Sequence, residues 1–144
     1  MTAGRGTDPQ EGVITHLLAT ARTVGVVGLS PDPAKESHQI ASYLLEAGYE
    51  IVPVNPRAAS ILGRKSYPNL DALPEPPDVV QVFRAPEHVP EIVDSAIALG
   101  AKAVWMQVGI VHEAAAERAR SAGLVVVMDH CMRRQHRLRR TTEG

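Results

Sequence analysis

Hydrophobic positions fall into blocks along this chain, and the blocks change period from one to the next. Short, nearly all-apolar runs recur at residues 23–28, 50–54, 79–83, 103–106 and 124–127. Runs of this kind, rich in β-branched residues, predict strands covered on both faces, as in a buried parallel sheet. Between them the apolar residues repeat at three and four. Val13, Ile14, Leu17 and Leu18 predict a helix that ends near Ala21. Its start is marked by Asp8 as cap, Pro9 in the first helical position and Glu11 where a capping box puts its carboxylate. Further helices are predicted from Ser37 or His38 to Ala47, from Pro86 to Leu99 and from His112 to Ala122, stopped in turn by Gly48, Gly100 and Gly123. Residues 57–77 contain Pro68, Pro74, Pro76 and Pro77 and predict a loop with one short helix at 69–73.

Strands alternating with helices predict an α/β fold: a Rossmann-like, doubly wound sheet of about five parallel strands in a single domain. The expected bounds are a loose tail at 1–7, the domain at 8–138 and a second tail at 139–144. The arginines at 133, 134, 137, 139 and 140 then form a solvated terminal helix or tail. In such sheets a ligand lies beyond the carboxyl ends of the strands, where the strand order reverses. Residues 28–37, 54–57, 83–86 and 106–110 therefore carry the candidate chemistry.

Composition narrows what that ligand and its setting are. A length of 144 residues supports one core, and 44% apolar with 22% charged residues is the folded, soluble range. A net charge of −1 disfavours bulk attraction to nucleic acid, so an anionic ligand must be met by local cations. No apolar run is long enough for a membrane span and no secretory signal is apparent, which predicts a cytoplasmic protein. Cys131 is the one cysteine, which excludes an internal disulfide and a cysteine-rich metal site. The six histidines show no metal spacing and no nucleophile triad stands out.

In the first segment Gly28 permits a tight turn after the first strand, and Leu29, Ser30, Pro31, Lys35 and Ser37 follow. The Ser30 hydroxyl and the open amides of the next helix suit a phosphate, and an ordinary strand-to-helix turn is an equal reading. The stretch lacks G-x-G-x-x-G spacing. In the second, Asn55, Pro56 and Arg57 stand where a domain that binds NAD places a carboxylate for the ribose hydroxyls. A cation there suits a phosphorylated ribose, as in NADP or coenzyme A. Lys35, Arg64, Lys65 and Arg84 extend the expected cationic rim. In the fourth, Gln107 is placed to hydrogen-bond an amide-rich arm such as pantetheine, with Gly109 in the turn beyond it. Cys131 is read as a partly buried small residue in preference to a redox thiol that forms a mixed disulfide with bound coenzyme A.

The ordered blocks V-V-G-L-S, G-Y-E-I-V-P-V-N-P, L-G-R-K-S-Y-P-N-L, V-F-R-A-P-E, A-V-W-M-Q-V-G-I and V-V-M-D-H-C resemble the small bacterial CoA-binding domain proteins. These in turn resemble the N-terminal domain of the succinyl-CoA synthetase α subunit. The resemblance covers residues 20–138. It implies that coenzyme A is held by the loop after strand one, by a cation after strand two and by the end of strand four. These fall on residues 28–33, on Asn55, Pro56 and Arg57, and on 106–109. The glycine-rich synthetase loop is replaced here by Ser30-Pro31-Asp32-Pro33. The synthetase's phosphorylated histidine sits in a second domain, so the expectation is a stand-alone module for coenzyme A or acyl-CoA without catalysis of its own. The alternatives are a fragment of an NADP-binding oxidoreductase and an accessory subunit of an acyl-CoA ligase. Expected partners are the nucleotide cofactor and either a second copy or a separate ligase chain.

Overall fold

The apolar runs become strands β1 (Thr23–Val27) and β2 (Glu50–Val54), and after a small hairpin, β3 (Ser60–Ile61) and β4 (Arg64–Lys65), the strands β5 (Val79–Val82), β6 (Ala103–Met106) and β7 (Val125–Val127). The computed structural model describes residues 8–143; the tail expected at 1–7 lies outside the described residues. Five strands pair in parallel in the order β2-β1-β5-β6-β7. Val27 stands opposite Val54 on one side and Val82 on the other, and Val82 opposite Met106. The carboxyl ends of these strands are therefore level.

Alternation along each strand sends side chains to two separate cores. Val24, Val26, Val79, Trp105 and Val127 face α1 (Glu11–Thr20), α2 (Glu36–Glu46) and α5 (Met132–Glu143). Val27, Val80, Val82, Val104 and Met106 face α3 (Val89–Leu99) and α4 (Glu113–Ser121). Ile14 and Leu17 of α1 and Ile40 and Leu44 of α2 fill the first core; Val93 and Ala96 of α3 with Ala115, Ala116 and Ala119 of α4 fill the second. Among the described residues no helix is long and apolar enough to cross a membrane.

Three local expectations change. The first helix begins at Glu11, later than the Asp8 signal implied. Asp8 does take the Gln10 amide at 2.8 Å, but its other carboxylate oxygen meets His130 at 2.8 Å, which fixes the chain in a turn. Glu11 reaches Arg139 at 2.6 Å and not back toward the helix start. Residues 57–77 contain the β3–β4 hairpin as well as a 3-10 turn (Leu70–Ala72). The tail expected at 139–144 is, through Glu143, the last part of α5. Arg139 bonds Glu11 and Thr15 of α1 and the Gln135 side chain one turn back, which extends the helix beyond its apolar anchor Met132.

Candidate functional site

The chain leaves β1 toward β2 on one side and returns past it to β5 on the other, so the strand order reverses between β1 and β5. There Gly28 adopts φ +91°, and a Cβ on it would stand 3.0 Å from the Phe83 carbonyl oxygen. The Gly28 amide donates to Val54 O at 3.0 Å and the Phe83 amide to Val27 O at 2.9 Å, so the three strands stay stitched up to the point where they diverge. Beyond it opens a cleft of about 560 Å³, floored by Val27, Gly28 and Val54. One wall is Asn55-Pro56-Arg57 with the loop 68–71; the other is Arg84 with Glu91, Ile92 and Ser95 of α3.

Asn55 works as a strut. Its Nδ2 donates to Leu29 O at 2.8 Å and its Oδ1 accepts the Arg57 amide at 2.7 Å, tying the loop after β1 to the loop after β2. The backbone beneath is anchored by Asn55 N to Tyr67 O at 2.8 Å. Arg57 is exposed, and among the described residues the Arg84 side chain bonds only His88 Nε2, at 3.3 Å. Neither guanidinium has a carboxylate partner among the described residues. Asp71 and Glu91 line the same cleft, so its charges alternate in sign.

Gly28, Asn55, Pro56, Arg57 and Arg84 thus come together in one cleft. The other sequence-derived residues lie elsewhere. Leu29 is fully buried in the core of the α2 face. The Ser30 amide donates to Ser37 Oγ at 3.0 Å, and Ser30 Oγ accepts the Asp32 amide at 3.0 Å. With Ala34 N bound to Asp32 Oδ1 and no amide on Pro31 or Pro33, this loop uses its Ser30, Asp32 and Ala34 amides internally. The donors left for an anion are the Ser30 hydroxyl, whose oxygen only accepts in that bond, and the first-turn amides of α2, which a helix leaves open by construction. Lys35 precedes α2 and is exposed. Arg64 and Lys65 line a separate hollow with Pro74 and Pro76, and Lys65 Nζ sits 5.2 Å from the Tyr67 ring centre.

Gln107, at the end of β6, is 5% exposed. Its Oε1 accepts Gln81 Nε2 at 2.9 Å and the Met132 amide at 3.1 Å. Gly109 lies in the following turn, its amide held by Asp129 Oδ1 at 2.7 Å. Cys131 is half-buried against the α2-face core and lines a shallow hollow with Glu36, Arg133, Arg134 and Arg137.

The cleft residues Asn69, Asp71, Glu91 and Ser95 were not singled out from the sequence. Asn69 and Asp71 belong to a proline-bounded loop whose approach depends on the bridge between Val54 and Tyr67. Glu91 and Ser95 lie one turn apart on α3, a spacing that on its own marks only a polar face.

Comparison with known proteins bears on this geometry. A family model described as a CoA binding domain matches residues 22–137. The uncharacterized protein YneT of Bacillus subtilis is 35% identical over 129 residues, 90% of this chain and 96% of that protein. A solved structure described as a hypothetical protein from Pyrococcus horikoshii superposes with a TM-score of 0.85 at 38% identity, over 89% of this chain and 90% of that one. An acetyl-coenzyme A synthetase of Ca. Korarchaeum cryptofilum superposes with a TM-score of 0.67 at 28% identity. That match takes in 77% of this chain and only 26% of the synthetase.

Proposed function

The chain belongs to the CoA binding domain family, and from that premise we propose that it binds coenzyme A or an acyl-CoA across the carboxyl edge of its sheet, as a module without catalysis of its own. The nucleotide half occupies the cleft between Arg57 and Arg84. The arm runs over the ends of β5 and β6 toward Gln107 and Gly109. The observation that carries this is the pair of arginines without carboxylate partners at the point of strand reversal, with Asn55 where a carboxylate would grip a plain ribose. A phosphorylated ribose supplies the missing anion. The cleft is in the usual size range for a ligand site, and coenzyme A is long enough to leave it along the strand ends. The module serves as carrier, sensor or accessory subunit in the cytoplasm.

Calorimetry with coenzyme A, acetyl-CoA, NAD and NADP tests the reading. Coenzyme A and acetyl-CoA are expected to bind and the dinucleotides to bind far more weakly. Arg57→Ala removes a charge-assisted contact, about 1.5–3 kcal/mol or about 10- to 100-fold in affinity. The loss should appear for coenzyme A and not for dephospho-CoA. No heat of binding with coenzyme A at millimolar concentration overturns the proposal. NADP binding as tight as coenzyme A points instead to the oxidoreductase alternative.

A further inference from the structure

Strand β5 reads Val79-Val80-Gln81-Val82 and all four residues are buried. Gln81 is fully enclosed, yet only one end of its carboxamide is answered: Nε2 donates to Gln107 Oε1 at 2.9 Å, while Oε1 is sealed from solvent with no partner among the described residues. An amide left half-satisfied in a core strand is a standing penalty that valine or leucine would avoid.

The orientation of both carboxamides follows from one backbone group. The Met132 amide can only donate, so the Gln107 atom 3.1 Å from it is the oxygen. The Gln81 atom 2.9 Å from that same oxygen must then be the nitrogen. Two donors on Gln107 Oε1 hold the Gln107 side chain in a single pose. Its Nε2 has no partner among the described residues and, unlike Gln81 Oε1, is not sealed from the surface. Gln107 Nε2, at the carboxyl end of β6, is therefore a fixed N–H donor left unfilled among the described residues and not fully sealed, prepared by a residue that cannot itself reach solvent.

We propose that Gln81 is a positioning residue for ligand recognition: it locks the Gln107 carboxamide so that Gln107 Nε2 donates to a carbonyl oxygen on the ligand's amide-bearing arm. This rests on the reading that the arm of coenzyme A passes over β6. It goes further in assigning a buried core residue to recognition and in making the contact a neutral donor that reads a carbonyl.

The test is calorimetry on the full chain with two ligands: coenzyme A, and adenosine 3′,5′-bisphosphate, which retains the phosphorylated nucleotide and lacks the arm. Gln107→Glu keeps an acceptor oxygen for Gln81 and Met132, replaces the outward donor by an acceptor and adds a negative charge, whose repulsion of phosphates the bisphosphate registers separately. It should lose about tenfold for coenzyme A, a loss of about 1.4 kcal/mol, and leave the bisphosphate unchanged. Gln81→Leu should lose severalfold for coenzyme A alone, and should have no further effect when added to Gln107→Glu, because both act through one hydrogen bond. Gln81→Met replaces it if the leucine variant does not fold. Coenzyme A affinity unchanged in Gln107→Glu, equal losses for both ligands, or losses that multiply in the double variant each overturn the assignment while leaving coenzyme A binding intact. If the unaltered protein binds neither ligand, the functional reading has failed and this one with it.

Discussion

Replacing Gly28 with alanine separates two effects that usually act together. At φ +91° any L side chain is strained, at a cost of about 1–2 kcal/mol. The new Cβ would also stand 3.0 Å from Phe83 O, 3.1 Å from Arg84 Cδ and 3.2 Å from Phe83 C. The Arg84 stem can swing aside. The Phe83 carbonyl cannot, because its own amide is bonded to Val27 O across the β1–β5 junction. Forcing a methyl into such a contact adds about 1–3 kcal/mol, so Gly28→Ala should lose about 2–5 kcal/mol in all. Gly48 provides the control: its φ is +109° and nothing lies within 4 Å of the place a methyl would take. Gly48→Ala should lose the strain alone, about 1–2 kcal/mol. For a chain of this size each kcal/mol moves Tm by about 4 °C. Thermal unfolding should therefore place Gly28→Ala about 4–12 °C below Gly48→Ala. Equal losses would show that the strand ends part easily and that Gly28 serves only its turn.

Asp78 and Arg139 provide two further tests of the scaffold. Burial pushes the Asp78 carboxyl upward, but the Arg22 and Thr23 amides and the nearby Lys102 outweigh it, leaving its pKa below the ordinary value. A lowered folded pKa stabilises above the unfolded pKa of about 4 and stops doing so as pH falls through the folded value. Asp78→Ala should thus cost about 1–3 kcal/mol at pH 7 with the difference shrinking below about pH 4; a gap in urea unfolding that does not change with pH would refute it. Arg139→Ala removes contacts to Glu11, Thr15 and Gln135 and should cost about 1 kcal/mol. Unchanged stability would restore residues 139–144 to the status of a tail.

The sheet was legible because each strand is an apolar run bounded by polar residues, and burial on both faces leaves that run little choice of structure. The run at 50–54 became β2 and that at 103–106 became β6 without a shift. The hairpin was not legible because its strands have two residues each, too few to show alternation, and its turn puts Leu62 at φ 55°, where no propensity would place leucine. Helix α5 was left open between a solvated terminal helix and a tail for a different reason. Its apolar anchor Met132 is followed by arginines, and Arg139 docks through hydrogen bonds to α1, which leave no hydrophobic stripe to read.

The cleft lies at strand ends that the sequence pointed to, but the division of labour among its residues was not legible. Asn55 and Ser30 stand at the expected strand ends, yet Asn55 is engaged in tying the loop after β1 to the loop after β2, and Ser30 Oγ accepts the Asp32 amide within its own loop. A polar residue in sequence does not reveal whether its hydrogen bonds are used internally; only the pairing does. At the amino edge Asp78 is used in full: its carboxylate takes the Arg22 and Thr23 amides and its own amide donates to Thr23 Oγ1. At the carboxyl edge Arg57, Arg84 and Gln107 Nε2 keep bonding capacity that the described residues do not fill. On the proposed reading those groups take an anion at one end of the edge and a carbonyl at the other, a combination that a plain inorganic phosphate cannot provide. A molecule joining a phosphorylated nucleotide to an amide-bearing chain can.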